Sequence, residues 1–195
     1  MENLKGFRKA GSDVVIWPEA KIVGRDTITL GDSIVIDDFV FIVGGENTDI
    51  GSFIHIASFV SITGGGEFVI EDFSNIATGS RLLTGTDDFL GNAMIGPTVP
   101  NQYRKITRSQ IHIKKHVILG ANTVVLPGVT IGEGVAVGAN SLIVRDCEPW
   151  TVYTGSPARA VKPRKKETIL QYEAELKSKV YDKAGNYILK KDWKL

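Results

Sequence analysis

Apolar positions recur at intervals of six along most of this chain. Leu119, Val125, Ile131, Val137 and Ile143 keep that spacing, and Ile113 starts the series one step earlier. The residue four places after each is small or β-branched: Val117, Thr123, Val129, Val135, Ser141 and Cys147. A helix repeats every 3.6 residues and a two-sided strand every 2, so a period of six predicts neither. It predicts a prism with three flat faces, one rung per face and about 18 residues per coil. Aliphatic side chains at the rung starts point inward, and the small residues fill the corners. Successive coils pair through parallel backbone hydrogen bonds at roughly 4.8 Å per layer. The pattern is that of a β-solenoid.

Earlier segments carry the same period. Leu30, Ile36 and Ile42 are in phase, with Ile34, Val40 and Glu46 in the second column. Ile50, Ile56 and Ile62 follow, with Ile54, Val60 and Gly66, and then Ile70, Ile76 and Leu82, with Ser74 and Ser80. The phase slips by two residues near Asn47-Thr48 and near Glu67-Phe68, where glycine and polar residues mark turns. From Asp88 to about Ile106 the repeat is lost, which predicts a loop leaving the prism; after it the sixes hold to Glu148. Ile169, Leu170, Glu173, Leu176 and Val180 then stand at helical spacing, predicting a short amphipathic helix over Glu167–Val180. The expected organisation is therefore a β-helix over residues 1–163 with a protruding loop at 88–106, then a C-terminal helix and tail over 164–195. In the tail, Ala184-Gly185-Asn186 predicts a turn and Tyr187-Ile188-Leu189 a short strand.

Composition narrows the function by exclusion. With 195 residues at 43% hydrophobic, the chain can bury a single full core. Its net charge of +1 gives no basis for binding nucleic acid or a membrane surface. The N-terminus, Met1-Glu2-Asn3-Leu4-Lys5, lacks an apolar leader segment, and no apolar run is long enough to span a bilayer. A cytoplasmic protein is expected. Its single cysteine, Cys147, falls in the small-residue column and reads as a buried hydrophobe. Charge is uneven only after the last rung, where Arg159, Lys162, Arg164, Lys165 and Lys166 cluster ahead of Glu167. Cations there oppose the dipole of the helix that follows and ask for an anion.

Rungs such as Leu119-Gly120-Ala121-Asn122-Thr123-Val124 and Val137-Gly138-Ala139-Asn140-Ser141-Leu142 resemble the hexapeptide repeats of left-handed β-helix acyltransferases. So do Val125-Leu126-Pro127-Gly128-Val129-Thr130-Ile131-Gly132 and the ending Tyr153-Thr154-Gly155-Ser156-Pro157-Ala158-Arg159. The resemblance covers roughly residues 28 to 165 and is nearest to bacterial O- and N-acetyltransferases acting on sugars, relatives of the xenobiotic and maltose acetyltransferases. It implies an all-β, left-handed parallel β-helix assembled as a homotrimer, with active sites between neighbouring prisms. It also implies acetyl-CoA as co-substrate, no metal, a sugar hydroxyl or amine as acceptor, and a histidine as general base.

Three histidines compete for that last role. His55 ends the rung Ile50-Gly51-Ser52-Phe53-Ile54-His55, which predicts a corner position, and His55-Ile56-Ala57 resembles the catalytic context of some lipid A acyltransferases. His112 also ends a rung and is expected on the same edge as His55, two coils away. His116 sits at a turn. In xenobiotic- and maltose-type members the catalytic histidine stands where the long loop begins, whereas here that place reads Leu83-Thr84-Gly85-Thr86-Asp87-Asp88-Phe89. The base is thus His55, a carboxylate at Asp87, or absent; Asp87 is alternatively the group that orients a histidine across an interface. Asp88, Tyr103 and Arg104 are acceptor-binding candidates. Gly120, Ala121, Gly138 and Ala139 are expected along the pantetheine arm, Pro157 and Ala158 against adenine, and Arg159, Lys162 and Arg164 at the phosphates.

Two other readings share the fold. γ-Type carbonic anhydrases hold a metal with interface histidines, but His112 and His116 are four apart and so at different rung positions. A non-catalytic β-helix serving assembly or regulation fits the missing histidine at the loop mouth but not the basic ending. Exposed Phe39, Phe41, Phe53 and Phe59 are expected to be covered by trimerisation.

Overall fold

A computed structural model describes residues 4–194; the Met1–Asn3 part of the polar N-terminal segment, and Leu195, lie outside the described residues. The chain winds as a three-faced parallel β-solenoid. Face A stacks six strands: Lys9–Ala10, Ile28–Leu30, Thr48–Ile50, Phe68–Ile70, Ile111–Ile113 and Thr130–Ile131. Face B stacks Val14–Ile16, Ile34–Ile36, Ile54–Ile56, Asn75–Ile76, Ile118–Leu119, Ala136–Val137 and a terminal hairpin, Thr151–Gly155 with Ala158–Pro163. Face C stacks Lys21–Val23, Phe41–Val43, Ser61–Thr63, Arg81–Leu83, Val124–Val125 and Leu142–Ile143. Its relatives, described below, fix the hand as left.

The sixfold columns are the core. Ile113, Leu119, Val125, Ile131, Val137 and Ile143 are buried, and so are the small residues Val117, Thr123, Val129, Val135, Ser141 and Cys147. Burial pushes the Cys147 thiol up to about 12, so it packs as an inert hydrophobe. The two-residue slips have a structural cause. Late coils advance 18 residues, as from Asn122 to Asn140, but early ones advance 20, as from Ser12 to Asp32. The extra pair sits at the corner between faces C and A. As a result Thr48 and Phe68 take inward positions there, and Glu46, expected in the small column, points to solvent.

Positive φ recurs at the corner between faces A and B, where each coil turns through one left-handed residue. Asp13, Ser33, Phe53, Phe73, His116, Gly134 and Trp150 occupy it in order. Three of their rings stack: Phe53 on Phe73 at 4.7 Å, and Phe73 on His116 at 5.3 Å. Gly134 leaves room for the next ring, since a Cβ there would lie 2.3 Å from the Trp150 indole. Helix α1 spans Glu167–Val180, as its apolar spacing predicts, and covers this ladder. Glu173 accepts a hydrogen bond from His116 Nε2 at 2.7 Å, and Lys177 Nζ lies over Phe73. Beyond α1, Tyr181, Tyr187 and Trp193 surround Phe53. Tyr187 Oη and the Lys190 amide both donate to Asp13 in the first coil. The expected tail strand is instead a turn at Asp182–Asn186 with one bridge, Tyr181 to Tyr187, followed by a single 3₁₀ turn at Lys190–Asp192. Its backbone is spent on Asp13 and on local turns rather than on a sheet edge. Among the described residues no helix is long and apolar enough to cross a membrane.

The Glu173 clasp should release in acid. Burial pushes this carboxyl up, but hydrogen bonds and charge from Lys177 and His116 outweigh it and hold the group below the usual carboxylate range. A depressed folded-state value contributes stability above the unfolded value and loses it as pH falls through the folded one. Glu173→Gln should therefore expose α1 to protease at neutral pH, as acidification through the depressed range of this carboxyl should in the native chain. Equal protease resistance of native and variant chains at pH 7 would show that the clasp carries no weight.

Candidate active site

A strand residue flanked by two inward aliphatics must point outward from the middle of its face. His55 stands between buried Ile54 and Ile56, so it projects from the centre of face B and not from a corner. His112, between Ile111 and Ile113, projects in the same way from face A. The two therefore lie on different faces, and the single edge expected for them does not form. His116 is at a turn, as expected, but its ring is 7% exposed and is used by Phe73 and Glu173.

His55 is half-exposed, with 45% of its side chain accessible, and its Nε2 is 2.9 Å from Asp37 Oδ2. Asp37 went unnoticed in the sequence. It lies 18 residues before His55, and the 20-residue coil finds it only indirectly: the coil pairs His55 with Val35, and Asp37 stands two residues beyond Val35, diagonal to the histidine one layer down. Trp17, Val15 and Ile118 are exposed on the same side of the prism. His112 has a similar carboxylate partner, Glu71 at 2.8 Å, but Lys114 shares that oxygen at 3.1 Å. Burial pushes Glu71 up, and bonds and charge from Lys114 and His112 reverse this and lower it. The group on face A is a compensated surface network, whereas the pair on face B faces apolar surroundings.

The loop begins and ends on a neck of two short antiparallel strands, Gly85–Thr86 and Thr107–Arg108. Within it Asp87 Oδ1 accepts from Arg104 Nη2 at 3.1 Å, and Oδ2 accepts from the Gly96 amide at 3.2 Å. Both oxygens are spent on the loop's own shape, so within one subunit Asp87 is neither a free base nor the partner of a histidine. Asp88 accepts from the Asn92 and Ala93 amides and closes a local turn. Tyr103 is exposed, its carbonyl accepting from the Met94 amide, and Phe89 and Leu90 are almost fully exposed.

At the C-terminal end the basic residues separate. Arg159 and Lys162 stand exposed on the terminal hairpin of face B. Arg164 turns inward and donates through Nη1 to the carbonyls of His116, at 2.7 Å, and Gly134, at 2.9 Å. That nitrogen holds two coils together, so Arg164 faces inward where Arg159 and Lys162 face solvent. Ala158 is 7% exposed and closes the end of the core, so of the Pro157-Ala158 pair only Pro157 is open to a ring. Gly120 and Gly138 serve coil stacking: a Cβ would meet the Ala139 amide nitrogen at 2.6 Å and Thr154 Oγ1 at 2.8 Å. Ala121 and Ala139 lie on the two turns that follow these glycines, at the corner of faces B and C.

Residues 110–145 match the family described as bacterial transferase hexapeptide (six repeats). An Escherichia coli dTDP-4-amino-4,6-dideoxy-D-glucose acyltransferase is 39% identical over 88% of this chain and 90% of its own length. The solenoid, its excursion loop and these matches define a transferase class, and the chain belongs to the hexapeptide-repeat, left-handed β-helix acyltransferases. Among solved structures it is similar to AntD, an N-acyltransferase from Bacillus cereus in complex with dTDP and 3-hydroxybutyryl-CoA. That similarity has a TM-score of 0.84 at 39% identity, covering 91% of this chain and 95% of that one. A variant of AntD, in complex with dTDP-4-amino-4,6-dideoxyglucose and coenzyme A, superposes with a TM-score of 0.83 at 40% identity, covering 91% and 95%.

Proposed function

We propose that this chain transfers an acyl group from acetyl-CoA, or a slightly longer acyl-CoA, to the amine of a nucleotide-linked amino sugar. The observation that carries this reading is the layout of face B. His55 and the hairpin bearing Arg159 and Lys162 belong to one sheet, five strands apart. At roughly 4.8 Å per layer that is about 24 Å, the scale of an extended coenzyme A molecule. Ile118 and Ala136 lie between them as an apolar floor for the pantetheine arm. The hairpin cations take the phosphates, and the thioester reaches the level of His55.

The chemistry balances on that layout. The amine lone pair attacks the thioester carbonyl, and the tetrahedral intermediate collapses as the carbon–sulfur bond breaks. The ammonium proton passes to His55, and the departing thiolate is reprotonated from it or from water. Asp37 holds Nε2–H, so the Nδ1 lone pair is the acceptor, and the imidazolium that forms is stabilised by the carboxylate. Asp87 keeps the loop in shape above the acceptor, and Asp88 and Tyr103 form its outer wall.

A homotrimer completes the site. Faces B and C and their shared corner carry exposed Val15, Trp17, Ile118, Phe41, Val23, Phe39 and Phe59. Face A instead carries the ionic groups Arg8–Asp49 and Glu71–His112–Lys114. Packing three prisms about the corner of faces B and C buries the apolar faces and leaves the ionic one in water. Phe53 is not part of this surface, because the chain's own tail covers it.

Calorimetry with coenzyme A tests the donor end. Arg159→Ala and Lys162→Ala should each weaken binding about tenfold, ~1.4 kcal/mol, with unchanged melting temperature. Undiminished affinity in both variants would remove the hairpin from the site.

A further inference from the structure

At the root of the loop lies a hollow that none of the roles above uses. It has a volume of about 340 Å³ and is lined by Gly64, Gly85, Asp87, Pro97, Arg104 and Arg108, among others. We propose that this hollow binds the diphosphate of the nucleotide-linked acceptor; the proposal rests on the acyltransferase reading above and names the subsite that would anchor its second substrate.

Three features of the hollow carry the assignment. The first is the posture of Arg108. Its Nε donates to the Gly64 carbonyl at 3.2 Å and lies against Gly65, where a Cβ would come within 3.0 Å. Gly65 has φ +79, so the turn is one that a side chain would strain, and its bareness lets the guanidinium lie flat on the backbone. With Nε anchored, the two terminal nitrogens remain for a ligand. The second feature is charge. Arg108 makes no ion pair among the described residues. Asp87 is the one carboxylate in the lining, and its oxygens are already committed to Arg104 and the Gly96 amide. The hollow therefore keeps one uncompensated positive charge.

The third feature is Arg104. Only 11% of its side chain is accessible, and its buried Nε has no hydrogen-bond partner among the described residues. Buried guanidinium groups are normally fully partnered, and a shortfall marks a place where a further acceptor is missing. An anion drawing Arg104 slightly from Asp87 would let the side chain resettle with more of its donors satisfied. Two guanidinium forks across one small hollow match the paired oxygens of a diphosphate better than a carboxylate or a single hydroxyl.

Location favours the acceptor over coenzyme A as the source. The hollow lies at the corner of faces C and A, away from the hairpin that serves the donor phosphates. In a trimer packed about the corner of faces B and C, face C of one subunit meets face B of the next. The hollow then borders the neighbour's face B, on which His55 stands.

The test is separate titration of the intact protein with dTDP alone and with coenzyme A alone. Arg108→Ala and Arg108→Lys alter an exposed side chain and should leave the melting temperature unchanged. Arg104→Gln is the second probe, with protease sensitivity of the loop as its folding control. Arg108→Ala is expected to weaken dTDP about tenfold and leave coenzyme A unaffected, Arg108→Lys to lose part of that, and the dTDP affinity of native protein to fall with added salt. Unchanged dTDP affinity in Arg108→Ala and Arg104→Gln overturns the proposal. Loss of coenzyme A affinity with dTDP intact overturns the acceptor assignment and gives the hollow to the donor's diphosphate. A native protein that binds neither compound overturns the acyltransferase substrate reading itself, a result distinct from failure of the hollow.

Discussion

Replacing His55 with alanine is expected to lower kcat by about 100-fold, while coenzyme A affinity and melting temperature should stay at native values. The size follows from the acceptor. A sugar amine is nucleophilic as its free base, so a general base need only take the proton released on attack, which places its contribution at the lower end of the usual range. The direction follows from geometry. His55 is held by Asp37 through Nε2 and presents its other nitrogen to solvent on the face that carries the basic hairpin. Asp37→Asn keeps the shape but can present its amide N–H to Nε2, favouring the tautomer with the proton on Nδ1. It should therefore lower kcat with little change in KM, and by less than His55→Ala. His112→Ala is the control. That ring is shared into the Glu71–Lys114 network on the ionic face, and its loss should leave kcat within a few-fold of native. Steady-state kinetics with a dTDP-linked amino sugar decides the matter. Native-like turnover by His55→Ala would sink the base assignment and leave the acceptor amine to lose its proton to water.

Much of the fold was legible because a solenoid writes its long-range order as local period. The inward column and the small column are each one residue per rung, so burial of Leu119 or Ser141 follows from counting. Helix α1 was legible for the ordinary reason of apolar spacing, and the loop because the count stops. Contacts between coils were less visible. Around His55 the coil advances 20 residues and sets Val35 directly beside it, so the Asp37–His55 pair is a diagonal contact that the period alone does not mark. The wrong edge for His112 arose because the rung sixth position was placed at a corner when the flanking isoleucines set it mid-face. The fate of the basic cluster was not legible at all. Whether a cation after the last rung meets solvent or the carbonyls of His116 and Gly134 is decided by how the terminal hairpin folds back, and Arg159 and Arg164 part company there. Nor does the tail show in the sequence that its Tyr187 reaches Asp13, a contact spanning nearly the whole chain.

If the chain assembles as the proposed trimer, the paired substitution Phe39→Asp and Phe59→Asp should convert it into folded single subunits without activity. These rings stack on each other at 5.1 Å and are 55% and 56% exposed in one subunit, although both stand on a buried core. Fully burying an aromatic ring of this kind contributes roughly 1.5–3 kcal/mol, and each trimer interface would bury several beside Trp17, Phe41 and Ile118. Two aspartates per subunit at the shared corner bring six like charges toward one axis in an apolar setting, which reverses the sign of that contribution. The subunit itself should survive, because neither ring contributes to the inward columns and both sit on turns already open to water. Light scattering should then report single-subunit mass, far-UV circular dichroism should remain native, and turnover should fall more than about 100-fold because substrate is no longer held between two faces. Persistence of the trimer with these substitutions would place the axis elsewhere. A single subunit that kept native turnover would be the more damaging result, since the whole site would then have to lie within one prism, and the exposed Phe89-Leu90 pair and the hollow at the root of the loop would have no neighbouring face to address.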